Sequence, residues 1–279
     1  MSDVAHAVRG DANRAEHSTT HRWLGRVGDA SYGVVHLVVA VLALQVAFGG
    51  SSGSGGELDQ KGAVKAIAAQ PFGAVLLWVL ALGLFAFAIW QILTAAFGFQ
   101  WVTKKGKRTR RRIGAGGRAV VAIALGAFAL ETLFSGDSGS GNGKQQELTA
   151  RILGWPGGQV IVGAVAVGIL AVAFGMGSRG VRRSFMQDLE TQRLSSATKS
   201  WVEVLGLVGF LAKGVAFGVI GGLVLTAAIE FDPKKAGGLD AALKTLAGQP
   251  FGVVLLVVVA LGLAAYGCYC FVEGWYRKA

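Results

Sequence analysis

The sequence predicts an all-α integral membrane protein with six transmembrane helices, arranged as three parallel two-helix repeats with pseudo-threefold symmetry about the membrane normal. Three observations predict it. Of the 279 residues, 53% are hydrophobic and only 15% charged, where a soluble domain carries about 25% charged residues. Six stretches approach the ~20 mostly apolar residues that cross a bilayer core. A glycine motif and a proline motif recur along the chain at matched spacing, the signature of internal repeats. The composition excludes an ordinary soluble enzyme domain and a disordered chain. Two cysteines cannot build a disulfide framework or a structural zinc site.

The spans in order are Ala30–Phe48, Phe72–Phe97, Ala119–Phe134, Gly158–Met176, Val204–Ile229 and Phe251–Val272. The third is the shortest and carries Glu131, but its neighbours require a crossing there. The polar tail before the first span makes that span a membrane helix rather than a signal peptide. Orientation follows from Lys and Arg, which accumulate on the cytoplasmic side. With six spans, 19 of the 27 basic residues fall on the side of both termini, seven fall on the opposite side, and Lys213 lies within a span. Both termini are therefore expected in the cytoplasm.

The repeats divide the chain. Gly25-x-x-Gly28-x-x-x-x-Gly33 recurs as Gly206-x-x-Gly209-x-x-x-x-Gly214, and more weakly as Gly114-x-x-Gly117-x-x-x-x-Ala122. Gln70-Pro71-Phe72-Gly73 recurs as Gln249-Pro250-Phe251-Gly252, with Trp155-Pro156-Gly157-Gly158 between them. Twelve residues beyond each proline stands a glycine: Gly83, Gly168 and Gly262. The expected organisation is a flexible cytoplasmic tail over 1–20, repeat 1 over 21–102, a basic loop and repeat 2 over 103–190, and repeat 3 over 191–279. Each repeat reads as helix, outer loop, helix. The loop carries an amphipathic stretch, clearest at Ala63–Ile67 and Ala241–Leu246, expected as a short helix on the outer surface. The proline is expected in the first turn of the second helix, where a missing N–H costs nothing. The recurring small residues allow close helix approach.

These motifs resemble the bacterial membrane family catalogued as domain of unknown function 1206. The resemblance covers nearly the whole chain after residue 21. It implies a bacterial, actinobacterial, inner-membrane protein and no particular activity. Mitochondrial carriers also have three two-helix units, but their odd helices end in a proline kink, and the odd spans here contain no proline.

Candidate functional residues are few. Lys213 lies about ten residues into its span, roughly 15 Å deep at 1.5 Å per residue, where a charge is costly and marks function by default. Its repeat-equivalents are Tyr32 and Val121. Glu131 is the other full charge well inside a span, so a Lys213–Glu131 ion pair is expected. His36, two turns into the first span, reads as a packing residue or as a third intramembrane polar group. Asp29 and Arg118 share a repeat position with opposite charge, which suggests polar pairs near the inner helix ends. Gln45 and Gln91 are expected to form interhelical hydrogen bonds. Lys104, Lys105, Lys107, Arg108, Arg110, Arg111 and Arg112 place seven positive charges in nine residues. Beside a membrane helix, without interleaved aromatics, this run reads as a contact for anionic lipid headgroups and not for nucleic acid. Trp101, Trp201, Trp275 and Tyr276 fit an inner interfacial belt and Trp155 an outer one.

No catalytic set, metal site or cofactor motif is predicted, and the loops are too short for an enzyme domain. A lipid-acting enzyme would need a polar cluster that the sequence does not display. The function expected is a non-enzymatic membrane scaffold or accessory subunit, partnered by a membrane protein or a second copy. The alternative is a small transporter or channel with a polar site at Lys213, Glu131 and His36.

Overall fold

The computed structural model describes residues 19–49, 57–99, 103, 105–135 and 141–277. The expected tail, Trp101, Lys104 and the side chain of Lys107 lie outside the described residues. Six long helices carry the apolar stretches: α1 (Thr19–Ala47), α3 (Gly73–Phe97), α4 (Lys105–Ser135), α6 (Gly158–Val181), α7 (Ser196–Ile229) and α9 (Gly252–Tyr276). Each contains an apolar window long enough to span a membrane. Between them lie the shorter α2 (Gln60–Ala68), α5 (Gly141–Leu153) and α8 (Leu239–Ala247), one in each repeat.

The basic run beginning at Lys105 is not a loop. It forms the first turns of α4, so the helix that carries the third span starts about four turns before its apolar residues. The proline also sits differently from expectation. Pro71, Pro156 and Pro250 precede their helices by two residues. Each occupies the second position of a turn closed by a glycine N–H donating to the carbonyl three residues back: Gly73 to Gln70, Gly158 to Trp155 and Gly252 to Gln249, at 2.7–2.8 Å. The third position, Phe72, Gly157 or Phe251, is left-handed with φ between 60 and 77°. Proline then left-handed residue is the sequence of a type II turn. The following glycine is needed because a Cβ there would strike the end of the preceding short helix, at Ala68, Ile152 or Ala247.

The long helices form a ring in chain order. α1 packs on α3, α3 on α4, α6 on α7, α7 on α9, and α9 back on α1. Within repeats 1 and 3 the two helices interlock through glycine. A Cβ on Gly28 would lie 2.5 Å from the Phe87 Cα, and one on Gly209 would lie 2.7 Å from the Tyr266 Cα, the repeat-equivalent contact. Gly83 against Ser31 and Gly262 against Ala212 form a second equivalent pair. No comparable packing joins α4 to α6 among the described residues. Only 17% of the apolar window of α6 is buried, against 39–50% for the other five, and among the long helices described it leans mainly on α7.

The ends of the ring are tied by polar contacts. At the basic end, where α1, α4 and α7 begin, Asp188 is buried between Arg111 of α4 and Arg179 of α6, the latter at 2.9 Å. There too the Glu190 N–H donates to the Tyr276 carbonyl at 2.6 Å. At the far end, Asp59 caps α2 by accepting from the Lys61 and Gly62 amides, and Asp240 of α8 accepts from the Leu58 N–H at 2.8 Å, joining repeat 3 to repeat 1. α5 takes a different seat, packed on α6 and on the Pro233–Lys235 turn.

Candidate functional site: a polar column on the repeat axis

Equivalent positions of a symmetric repeat meet at its axis, and Tyr32 and Lys213 do so. The Lys213 Nζ donates to the Tyr32 hydroxyl at 3.5 Å and lies 3.3 Å from His36 Nε2. The tautomer of His36 follows from its other nitrogen. Nδ1 is 2.9 Å from the Tyr32 carbonyl, which only accepts, so Nδ1 carries the proton and Nε2 offers its lone pair to the ammonium. The ammonium also faces the Tyr266 ring at 3.9 Å from its centroid, a cation–π contact worth about 2 kcal/mol when desolvated. Lys213 is 7% exposed and His36 2%. Among the described residues no carboxylate touches the ammonium: its contacts are one imidazole, one phenol and aromatic faces, with Glu273 within electrostatic reach.

The supporting shell is aromatic. Tyr32 stacks on Phe87 at 5.0 Å, and Phe210 sits edge-on to Tyr266 at 5.5 Å. Phe87 and Tyr266 are the residues that press on Gly28 and Gly209, so the glycine interlocks of repeats 1 and 3 also set the walls of the site.

Toward the basic end lies a charged layer. Asp29 and Glu273 are buried at 2% and 3% exposure. Glu273 pairs with Arg277 at 3.1 Å, and Asp29 lies within electrostatic reach of Glu273, Arg277 and Arg118. The expected opposite-sign pair Asp29/Arg118 is thus brought together with a second acid and a second base. The Asp29 Oδ2, both polar atoms of the Gln91 amide and the Tyr269 hydroxyl are buried and find no hydrogen-bond partner among the described residues. Each such group costs about 1–3 kcal/mol, a concentration of unsatisfied polarity that plain helix packing does not require.

Several expectations are corrected. The Lys213–Glu131 pair does not form. α4 ends at Ser135, only four residues beyond Glu131, so Glu131 sits at the far end of the helix, where its side chain is exposed. Of the basic run, Arg111 is committed to Asp188 and Arg112 donates to the Gly98 carbonyl at 3.2 Å, leaving Lys105 and Arg110 exposed. Gln45 is exposed, and Gln91, though buried, makes no interhelical hydrogen bond. Glu203, near the start of α7, pairs with Arg183 at 2.5 Å. Trp155, Trp201 and Trp275 are exposed at helix ends, as interfacial residues would be. Tyr32 was legible as the repeat-equivalent of Lys213. Asp188, in a short irregular connection, carried no sequence signal.

Chemically, the Lys213–His36 pair can hold one proton between two bases, Nζ–H···Nε2 or Nζ···H–Nε2, and presents a cation whose acid, Glu273, acts on it through space and not by contact.

A family model described as Domain of Unknown Function (DUF1206) matches the chain three times, over residues 27–98, 113–183 and 208–277. The chain is also similar to the uncharacterized protein YxxB of Bacillus subtilis, with 31% identity over 261 residues, covering 92% of this chain and 93% of that protein. No solved structure matches it.

Proposed function

We propose, for a chain that belongs to the Domain of Unknown Function (DUF1206) family, that it is a non-enzymatic membrane protein whose Lys213–His36 pair is the working site of a small transporter, moving an anionic solute together with a proton. The observation that carries this is the Lys213 ammonium, buried in the middle of a transmembrane helix with no carboxylate in contact among the described residues. A structural ion pair would have brought an acid into contact; a cation that Glu273 reaches only through space suits a negative solute. The imidazole beside it gives the accompanying proton a second base.

The test is flux. Purified protein in liposomes holding an internal pH dye is given inward gradients of chloride, inorganic phosphate or succinate. Acidification with at least one solute is expected, and Lys213→Met should abolish it. If wild type and Lys213→Met are indistinguishable with every solute, the transporter reading fails. A second reading, a scaffold or accessory subunit binding a membrane protein or a second copy, is favoured by the close aromatic packing around the column, and it would then stand.

On this reading the basic end faces the cytoplasm of a bacterial inner membrane, supported by the 19-to-7 distribution of Lys and Arg. Lys105 and Arg110 are the exposed groups for anionic headgroups, each worth up to about 1 kcal/mol. Cysteine at Lys235 should react with an impermeant maleimide from outside intact cells, and cysteine at Ser195 should react only after lysis. The reverse pattern would invert the orientation.

A further inference from the structure

We infer that the second repeat is a lateral gate, in which α4 and α6 close on one another through the glycine contacts that already hold repeats 1 and 3 shut. The contacts Gly28–Phe87 and Gly209–Tyr266 have as their repeat-2 equivalent Gly117–Val172. The contacts Gly83–Ser31 and Gly262–Ala212 have Gly168–Val120. A Cβ on Gly117 or Gly168 would meet nothing within 4 Å. Val120 is 67% exposed and Val172 47%, where Phe87 and Tyr266 are 1% and 4% exposed. Repeat 2 therefore carries both halves of each interlock, unengaged.

Glycine inside a helix costs roughly 1 kcal/mol against alanine, a cost that close packing offsets in the other two repeats and that the open seam leaves standing. Asp188, held by Arg111 and Arg179, already joins α4 and α6 at the basic end. Closure is thus a swing about a fixed end, and α5 does not block it, since it rides on α6 and the Pro233–Lys235 turn. The open seam also explains the exposure of Val121. It is the repeat-2 equivalent of Tyr32 and Lys213, yet it is 43% exposed, so the gap reaches the layer of the axial site from the bilayer side. The closure rests on repeat geometry; only its purpose, admitting a solute laterally, rests on the transporter reading.

Disulfide trapping tests it. In a Cys268→Ala/Cys270→Ala background, Val120→Cys with Gly168→Cys is oxidised in native membranes, as is a second pair, Gly117→Cys with Val172→Cys. A disulfide needs Cβ atoms roughly 3.5–4.5 Å apart. Loss of maleimide labelling in both pairs, within the monomer, is the expected result. The control pair Ile113→Cys with Ala164→Cys, at opposite depths, should stay labelled. Persistent labelling of both test pairs would overturn the gate. So would a disulfide-linked dimer, which would make the seam an interface between copies. Because the readout is thiol loss, it is independent of whether any solute moves.

Discussion

Gly28→Leu and Gly209→Leu should each destabilise the protein by about 3 kcal/mol and sharply lower its yield from membranes, while Gly117→Leu should cost nothing and gain up to about 1 kcal/mol from helix propensity. The three glycines occupy one repeat position. At the first two, an added Cβ would meet backbone, the Phe87 Cα at 2.5 Å and the Tyr266 Cα at 2.7 Å, and backbone cannot turn aside as a side-chain tip can. The helices would have to separate, and with them Phe87 and Tyr266, which wall the axial site. At Gly117 the same side chain enters open space. Thermal unfolding in detergent reads all three. Equal losses at all three positions would mean that α4 and α6 are packed together in the membrane most of the time. The Gly117→Leu variant should nonetheless block closure of the seam, separating stability from gating at a single residue.

That contrast marks how far the sequence was legible. The six apolar helices and the three repeated segments follow from apolar length and motif spacing, because these are local properties of the chain. The short helices at Gln60–Ala68 and Leu239–Ala247 were visible in their amphipathic pattern. The open seam was not visible: Gly117 and Gly168 read like their counterparts, and whether a glycine is engaged depends on where the partner helix stands. The acid partner of Lys213 was misread for a related reason. Charge within an apolar run identified Glu131, but α4 ends only four residues later, at Ser135, and turns that side chain outward. The partner that does form, His36, is uncharged in its inferred tautomer and sits on α1, which packs against α9 and α3 while meeting α7 mainly across the axis. Pairing by opposite charge could not have selected it. Pairing by repeat position nearly could, since Tyr32 stands where Lys213 stands and His36 lies one turn beyond.

Lys213→Met combined with His36→Leu should raise stability by about 2 kcal/mol and abolish flux. An ammonium in the middle of a membrane helix costs at least about 2.5–3.5 kcal/mol on insertion scales, and the contacts made by Lys213 recover only part of it: one hydrogen bond to the imidazole, a long one to Tyr32, and the Tyr266 face. Lys213→Met alone should be nearly neutral. It removes the buried charge but leaves the His36 Nε2 without a donor, a penalty of about 1–3 kcal/mol that offsets the gain. Leucine at position 36 removes that second penalty, and repeat 2 already supports the substitution, carrying Val121 and Leu125 at the two equivalent positions. Glu131→Gln should add independently to any of these variants, because Glu131 is exposed and away from the column. Chemical or thermal unfolding of the four proteins decides the matter. A double variant that is more stable and inactive identifies the pair as a site kept for its chemistry at a cost in stability. A double variant that loses about as much stability as a large core truncation, roughly 3 kcal/mol, would make Lys213 and His36 part of the structural core and leave the scaffold as the better account of the protein.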